Sequence, residues 1–426
     1  MKNLTKIAIA GVGTVGKGLI DLIFKDNGRN KKKFNIEISA IASRRKLKLS
    51  KKNLSNTKIF KDASSLLGFD DYDILVELIG GEDGVSKNII FDAIKKKKNV
   101  VTANKALVSK HWKKIMTLCN QYDSNLKFEA AVAGGIPIIK ILNEFLKSNN
   151  IKRIYGILNG TSNYILTNML STKKSFSEIL QKAQKLGYAE SDPTFDINGI
   201  DAAHKLSILS AIAFDINANL SDIFVEGISE MELIDLMYAE TLGYKIKLLG
   251  MSQIKNNKIF NFVYPCLIDF RESIANVDGV YNGIVVESDF CNKSFFQGEG
   301  AGPNPTATSV FSDIINISNN HSNKFRNPKE KKKQNISERF GSYYLRFTTI
   351  DKPGVISGIS QEFKKNKISM KSMLQKDNKP EKSKDATIVV TTHNCLERNM
   401  KKALKKINKL NFVLKNTVAI RIESLK

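Results

Sequence analysis

The stretch that decides the fold is IAIAGVGTVG, residues 7–16. Its first four residues are apolar and favour a buried strand, and the apolar spacing of Val15–Phe24 favours a helix. Between them, Gly11, Gly13 and Gly16 form a turn of the kind that lets backbone approach a pyrophosphate at a helix N-terminus. This strand, turn and helix predict dinucleotide binding. The alternative is a tight turn without a ligand.

A polar turn after the second predicted strand bears on the choice of cofactor. That strand spans Ile36–Ala42 and is followed by Ser43-Arg44-Arg45, where an NAD enzyme would present an acidic residue to the ribose 2′-hydroxyl. Two guanidinium groups favour a 2′-phosphate, so Arg44 predicts NADP rather than NAD. Solvated surface arginines are the alternative.

Strands and helices alternate throughout residues 1–135. Apolar runs predict strands at Ile74–Ile79 and Asn99–Thr102, with a helix at Val85–Lys98 between them. This order is typical of an α/β fold with a Rossmann-like, doubly wound parallel sheet, and we predict an NAD(P)-binding domain here. Lys105 follows the last of these strands. It either faces the ligand crevice at the carboxyl edge of the sheet or is one of many solvated lysines.

Length and composition fit a multidomain globular protein. The chain of 426 residues is longer than one hydrophobic core usually supports, and its 42% hydrophobic and 26% charged residues exclude a collagen-like or wholly disordered chain. The net charge is +25, but the excess lysines are spread along the chain without interleaved aromatic residues, so we predict no nucleic-acid and no membrane partner. Four dispersed cysteines without a CxxC pair predict a reducing, cytoplasmic location.

Two further units are predicted after the first. Residues 136–318 are predicted to form an α+β substrate-binding and dimerisation domain, whose final helix, 306–318, packs back on the first domain. The sheet of this middle domain would otherwise expose a large face, which predicts a homodimer or higher homo-oligomer. Residues 319–339 are Lys-rich and predict a solvated linker. The order βαββαβ over residues 340–426 predicts a ferredoxin-like domain.

Carboxylates are concentrated just before a helix of the middle domain. The segment 187–196 contains Glu190 and Asp196, and the helix that follows bears Asp201 and Lys205 four residues apart on one face. If that face lies beside a nicotinamide, carboxylates can hold a substrate ammonium while the lysine polarises a carbonyl and delivers a proton. Helix caps and an ordinary surface ion pair are the alternative.

Two glycine-containing loops are candidate binding elements. Residues 159–164, NGTSNY, could offer backbone N–H groups to a carboxylate or phosphate, or could only cap a helix. Residues 129–136, EAAVAGGI, could direct carbonyl oxygens at a hard cation, although nothing in the composition demands a metal. The four histidines form no cluster with ligand spacing, and we predict no chemistry for them.

Taken together, the motifs resemble the homoserine dehydrogenase family in its monofunctional form with a C-terminal ACT domain. The resemblance covers nearly the whole chain, and its longest motif is highly specific. The motifs, in the family's order, are GVGTVG (11–16), VELIGG (76–81), TANKALV (102–108), EAAVAGGIP (129–137), NGTSNYIL (159–166), GYAESDPTFDINGIDAAHKL (187–206) and EGAGPNPTATSV (299–310).

The resemblance implies NAD(P)H-dependent interconversion of L-aspartate 4-semialdehyde and L-homoserine, a step toward threonine, methionine and isoleucine. It implies that Lys205 is the proton donor and acceptor and that Lys105 acts beside it. The substrate-binding residues that it implies are Glu190, Asp201 and Asp196. The cofactor-binding residues are Gly11, Gly13, Thr14, Val15, Gly16, Arg44, Lys105 and Gly302. A structural sodium ion would be bound at Glu129, Val132, Gly134 and Ile136, mostly through backbone carbonyls.

The tail resembles an ACT regulatory domain, which implies threonine as an effector at the turn Asp351–Val355. A long, charged hairpin at Lys376–Asp385 departs from compact members of that class. Two other functions stay open at this point. One is another amino-acid oxidoreductase of the same architecture, such as an aspartate or saccharopine-type dehydrogenase, and the other is a nonenzymatic amino-acid sensor.

Overall fold

The computed structural model describes residues 4–45, 54, 56–319, 328–375 and 385–425. In the N-terminal segment, strands alternate with helices. Its elements are β1 (Thr5–Ala10), α1 (Thr14–Phe34), β2 (Ile36–Ala42), β3 (Lys58–Phe60), β4 (Ile74–Glu77), α2 (Val85–Lys95), β5 (Asn99–Thr102), α3 (Lys105–Tyr122) and β6 (Leu126–Lys127).

These strands form one parallel, six-stranded sheet in the order β3-β2-β1-β4-β5-β6. Side chains of β1 alternate between its faces: Ile7 and Ile9 join the hydrophobic cluster of α1, and Ala8 and Ala10 join the cluster on the other side. The strand order reverses between β1 and β4, which is where doubly wound sheets bind ligands. The predicted Rossmann-like sheet is confirmed.

Helix α1 continues ten residues beyond its predicted end, to Phe34. The backbone is irregular at Asp26 and Gly28, whose φ angles are 53° and 78°. Asp and Gly tolerate the left-handed region and are weak helix formers, so the apolar periodicity stops there although the Lys-rich chain resumes a helix.

The middle segment supplies a second, larger sheet and the helices that pack on it. Its elements are α4 (Ile138–Lys140), β7 (Ile151–Ile157), α5 (Gly160–Thr172), α6 (Phe176–Lys185), α7 (Thr194–Ile197), α8 (Ile200–Phe214), β8 (Ile223–Val225), α9 (Leu233–Thr241), β9 (Tyr244–Lys255), β10 (Lys258–Asp269), β11 (Tyr281–Ser288), β12 (Lys293–Glu299) and α10 (Pro303–Ser318). Helix α10 packs against α1, because Ala307, Val310 and Ile314 share a cluster with Leu19 and Ile23.

The C-terminal segment continues this larger sheet. Its elements are β13 (Lys332–Lys333), β14 (Phe340–Ile350), α11 (Val355–Lys365), β15 (Met370–Gln375), β16 (Asp385–Thr392), β17 (Cys395–Leu396), α12 (Glu397–Ile407) and β18 (Val418–Glu423). The main strands run β12-β11-β7-β9-β10-β18-β14-β16-β15, so the four long C-terminal strands lie in the 4-1-3-2 order of a βαββαβ unit. The ACT assignment itself stays a prediction.

Strand β10 joins the two parts of this sheet. It pairs in parallel with β18, with Cys266 opposite Arg421, and antiparallel with β9 along its other edge. Because the sheet is continuous, the C-terminal unit is fixed to the middle segment by backbone hydrogen bonds as well as by side chains.

One argument from the sequence needs correction. The middle sheet does not leave a large apolar face exposed: Tyr155, Phe262 and Tyr264 on that face are buried under the segment around Ile274 and under Leu425. That argument for a dimer therefore fails. In the predicted solvated linker, residues 328–339 contain strand β13, which pairs with β10.

The predicted hairpin at Lys376–Asp385 lies, apart from its last residue, outside the described residues. In the part of the chain that is described, no helix combines the length and apolar character needed to cross a membrane.

Candidate active site

Two lysines from separate segments meet at one carboxylate. Lys105 begins α3, whereas Asp201 and Lys205 lie one turn apart on α8. Lys105 Nζ is 2.8 Å from Asp201 Oδ1, and Lys205 Nζ is 2.8 Å from Asp201 Oδ2. Lys205 Nζ also donates to the carbonyl oxygen of Leu158 at 2.7 Å. The predicted convergence of the two ammonium groups is thus present in the structure.

Burial explains why the charged groups of Asp201, Lys105 and Lys205 are paired with one another. Helix α8 is apolar around most of its circumference and is buried almost throughout, so its few charged groups are desolvated. Asp201 is buried, and the side chain of Lys205 is 10% exposed, while that of Lys105 is 33% exposed. A buried carboxylate between two ammonium groups satisfies the requirement that desolvated charges be paired.

The charges shift one another's protonation. Burial acts to raise the pKa of Asp201, but the ammonium groups of Lys205 and Lys105 outweigh it and hold that pKa well below its usual range. Burial acts to lower the pKa of Lys105, but attraction to Asp201, Asp196 and Glu190 leaves it above its usual value. Asp201 is therefore ionised at neutral pH, and Lys105 is positively charged.

Asn159 links two of the carboxylates. Its side-chain amide donates to Asp196 Oδ1 at 2.7 Å and to Asp201 Oδ2 at 2.8 Å, and its side-chain oxygen caps α5 by accepting from Ser162 N. Burial, together with the charge of Asp201, raises the pKa of Asp196. Glu190 lies on the exposed rim of this cluster, near enough for its charge to act on Lys105.

A second network positions the start of α3. Asn104 caps this helix by accepting from Leu107 N, and its amide donates to the carbonyl oxygen of Gly81. Glu77, which is fully buried at the end of β4, accepts from the backbone of Ile79 and from the hydroxyl of Thr102. These contacts hold together the carboxyl ends of β4 and β5, and with them the backbone of Lys105.

The glycine turn has the shape that a pyrophosphate requires. Gly11 has φ of 99°, and a Cβ there would lie 2.8 Å from the oxygen of Leu78. A Cβ on Gly16 would lie 2.3 Å from the oxygen of Gly11, whereas one on Gly13 would meet nothing within 4 Å. The first and third glycines thus allow tight packing, and the second leaves open space at the helix N-terminus. Thr14 and Val15 form the first turn of α1.

Two other predicted cofactor residues lie near this turn. Gly302 precedes α10 with φ of 119°, and the backbone beyond it reaches α1, since a Cβ on Gly18 would lie 2.8 Å from the oxygen of Pro303. Arg44 is exposed in the turn after β2. Its charge contributes, after the hydrogen bonds from Ser64, to holding the pKa of Asp62 below its usual value.

The predicted cation loop is held by hydrogen bonds of its own. Both carboxylate oxygens of Glu129 accept backbone N–H groups, from Ile139 and Lys140, and the carbonyl oxygen of Gly134 accepts from Ser309. Burial, together with the charge of Asp313, raises the pKa of Glu129 to about 8. Across the described residues, no three His, Cys, Asp or Glu side chains are grouped as a metal site.

Sequence reasoning missed four features of the active site: Asn159 as a bridge between carboxylates, the carbonyl oxygen of Leu158, the buried Glu77, and the ring of Phe195. This ring stacks on His204 at 5.6 Å between centroids and lies 6.0 Å from Lys105 Nζ. A carboxylate ending a buried strand, as in VELIGG, is a usable signal for Glu77. The carbonyl of Leu158 has no signal in the sequence.

Known proteins match the chain over its whole length. The family model described as homoserine dehydrogenase matches residues 137–315, and that described as homoserine dehydrogenase, NAD binding domain, matches residues 11–129. Homoserine dehydrogenase of Neisseria gonorrhoeae is 39% identical, with 98% of each chain covered. The crystal structure of a homoserine dehydrogenase from Thiobacillus denitrificans superposes with a TM-score of 0.91 at 37% identity, covering 100% of this chain and 99% of that one.

A shorter solved structure that is similar to the chain was determined with a cofactor. It is a hyperthermophilic archaeal homoserine dehydrogenase in complex with NADPH, which is 26% identical with a TM-score of 0.63 and covers 76% of this chain and 100% of its own. The match is thus to a chain that spans about three quarters of the present one.

Proposed function

The chain belongs to the homoserine dehydrogenase family of NAD(P)-dependent oxidoreductases, and we propose that it interconverts L-aspartate 4-semialdehyde and L-homoserine by a lysine acid/base mechanism. In the reductive direction the aldehyde carbon gains a hydride and its oxygen gains a proton. The observation that carries the proposal is the pair of lysines that share Asp201.

Lys205 is proposed as the group that exchanges the proton. An ammonium has three N–H groups. In Lys205, one N–H group donates to the carbonyl oxygen of Leu158 and a second to Asp201, so the third N–H group is left for the substrate oxygen. As negative charge grows on that oxygen, a positioned ammonium stabilises it and then protonates it. Lys105, at the more exposed side of Asp201, is proposed to orient the same oxygen and the cofactor amide.

Asp201 is proposed to hold the two lysines together. Both of its oxygens are engaged by ammonium groups, which leaves Glu190 and Asp196 better placed to receive the ammonium of the substrate. Burial and the charge of Asp201 raise the pKa of Asp196, and a substrate ammonium beside it would favour its ionised form. Asp201 would then contribute to substrate binding by adding negative charge rather than by direct contact.

Membership of the family supports the use of NAD(P) as cofactor. Of the two cofactors, NADP is the one proposed. When bound, the nicotinamide supplies or takes up the hydride. The open space at Gly13 fits a pyrophosphate, with Gly11, Thr14, Val15 and Gly16 forming the rest of the turn. Arg44 is proposed to bind the 2′-phosphate, and Gly302 and Lys105 to line the nicotinamide end.

A structural sodium ion is proposed at the loop 129–136, bound by backbone carbonyls of Glu129, Val132, Gly134 and Ile136. Oxygen donors of this kind suit a hard cation. The carboxylate of Glu129 is not proposed as a ligand, because both its oxygens accept backbone N–H groups. Thermal unfolding in NaCl, KCl and choline chloride at one ionic strength tests this. A melting temperature that is the same in NaCl as in KCl and choline chloride would contradict the sodium site.

We further propose a division into segments 1–135, 136–318, 319–339 and 340–426, with the last an ACT-like unit that binds threonine near Asp351. Its βαββαβ order supports the assignment to the ACT class.

A homodimer is supported by the edge strand β12 and the neighbouring Phe290, which is 85% exposed. Light scattering measures the mass, and inhibition by threonine measures the regulation. A cytoplasmic place in threonine, methionine and isoleucine synthesis completes the proposal.

The decisive experiment is a steady-state assay of the purified chain. Homoserine-dependent reduction of NADP is expected, with aspartate and saccharopine as negative controls that test the other dehydrogenase classes. If threonine shifted the melting temperature but neither NADP nor NAD was reduced in the presence of homoserine, the proposal would be wrong and a nonenzymatic amino-acid sensor would be the better interpretation.

A further inference from the structure

The C-terminal strand β18 reaches the substrate-binding segment through one ion pair. Strands β8 and β18 both pair in parallel with β10, at Asn261–Val263 and at Cys266–Ile268 respectively, so they follow one another along its edge. Glu226, the residue after β8, is thereby placed beside Arg421 of β18. Arg421 donates to Glu226 through Nη1 at 2.5 Å and through Nη2 at 3.1 Å.

Arg421 is itself held rigidly. Its side chain is 6% exposed, it donates to Glu397 through Nε at 3.1 Å and Nη2 at 2.6 Å, and its guanidinium lies 4.4 Å from the ring centroid of Tyr264. A guanidinium fixed on several sides holds the carboxylate that it binds in one position. Glu226 is therefore anchored although its own side chain is 43% exposed.

The loop after Glu226 is in direct contact with α7. A Cβ on Gly227 would lie 2.3 Å from the oxygen of Ile197, the last residue of that helix, and 2.5 Å from Cα of Asn198. Ile228 N donates to the same oxygen of Ile197 at 2.7 Å. Only glycine permits so close an approach, so the positions of this loop and of the end of α7 depend on each other.

Helix α7 carries Asp196, and the contact continues to α8. Gly199, which has φ of 78° and directly precedes α8, would place a Cβ 3.4 Å from the oxygen of Glu226. The path from Arg421 to the carboxylate cluster thus consists of one ion pair and two backbone contacts.

We propose that Arg421 and Glu226 are positioning residues, through which the C-terminal unit sets the affinity of the active site for homoserine. This inference rests on the proposed role of Asp196 as a binding group for the substrate ammonium. Loosening the pair lets loop 226–228 retreat from α7 and displaces Asp196, while α1 and the glycine turn, on the other sheet, keep their geometry. The KM of homoserine should therefore change without that of NADP.

The test compares three variants of the full chain with the wild type. Glu226→Gln removes the charge from the pair, and Gly227→Ala forces the loop away from α7. Glu423→Gln is the matched control, because Glu423 lies on the same strand as Arg421 and accepts from Arg339 Nη2 and from the Tyr264 hydroxyl, both at 2.7 Å. For the first two variants we expect a KM for homoserine about fivefold higher, with kcat and the KM of NADP within about twofold of the wild type.

Melting temperatures separate positioning from general weakening. If Glu423→Gln lowers the melting temperature as much as Glu226→Gln does and leaves the KM of homoserine unchanged, the positioning role is supported. If all three variants keep the wild-type KM, or all three raise it equally, the inference is wrong. Asp196→Asn, measured alongside, tests the proposed function itself. If this variant keeps the wild-type KM for homoserine, the proposed contact between Asp196 and the substrate is wrong. If it raises that KM while Glu226→Gln keeps the wild-type value, only the positioning role of Arg421 and Glu226 is rejected.

Discussion

Replacing Asp201 by Asn tests whether this carboxylate holds the two lysines or binds the substrate. The substitution preserves size but leaves the ammonium of Lys205, which is 10% exposed, beside a neutral amide. Removing one partner of a buried ion pair leaves an uncompensated charge, which costs about 3–5 kcal/mol. We therefore expect the free energy of unfolding to fall by about 3 kcal/mol, as for other broken buried pairs.

The same substitution should move the pH dependence of catalysis. Homoserine oxidation needs a neutral lysine to accept the proton, and the charge of Asp201 keeps the pKa of Lys105 above its usual value. Without that charge the pKa of Lys105 falls, so Lys105 loses its proton at lower pH. In Asp201→Asn, the pH profile of kcat for oxidation should shift to lower pH, and reduction should fail on the alkaline side.

The assay follows NADPH absorbance in both directions as a function of pH, and urea unfolding gives the stability. Asp192→Asn is the matched control, because Asp192 is an exposed carboxylate of the same acidic segment that accepts a hydrogen bond from Thr194 N. A raised KM for homoserine with an unchanged pH profile would show that Asp201 contacts the substrate ammonium directly, and the bridging role would be refuted.

Lys205→Met should lower kcat about 10³-fold in both directions with an unchanged circular dichroism spectrum, and a variant that keeps most of its rate would contradict the acid/base role. Arg44→Ala should lower kcat/KM for NADPH about tenfold and leave that for NADH unchanged, so an equal loss with both cofactors would argue against a 2′-phosphate contact. The pKa of Glu129 is raised to about 8, so folding favours its protonated form. The stabilisation that Glu129 contributes is present below about pH 4.3 and is lost as the pH rises toward 8. Thermal melts of the wild type should therefore show a melting temperature that declines over this pH range. The same decline is expected in Glu144→Gln, a control at an exposed residue, and a smaller one in Glu129→Gln.

Much of the architecture could be predicted because it is encoded locally. The run at 7–16 combines β periodicity, glycines and helical periodicity within one short window, and the structure places β1, the turn and α1 there. The C-terminal βαββαβ order followed from the same local signals. The predicted ends of α1 were wrong, because a Lys-rich stretch without apolar periodicity continues the helix past Gly28.

The candidate site could be predicted only in part. Spacing placed Asp201 and Lys205 on one helical face, but their role depended on whether that face was buried. Asn159 and Leu158 were missed because their contributions, a side-chain amide shared by two carboxylates and a backbone carbonyl, are set by distances between elements. The apolar face expected on the middle sheet was also misjudged, since the connection between β10 and β11 around Ile274, together with Leu425 after β18, covers it.

By itself, the sequence determined which residue types are available and which local conformations they adopt, because hydrophobic periodicity and glycine conformation act over a few neighbouring residues. The tertiary structure alone decided that Lys105 and Lys205, 100 positions apart, share one carboxylate. It also decided that β18 lies against β10 and brings Arg421 to Glu226. Such contacts depend on how buried sheets and helices pack, and desolvation makes the pairing of these charges obligatory at the site that we propose to move a proton.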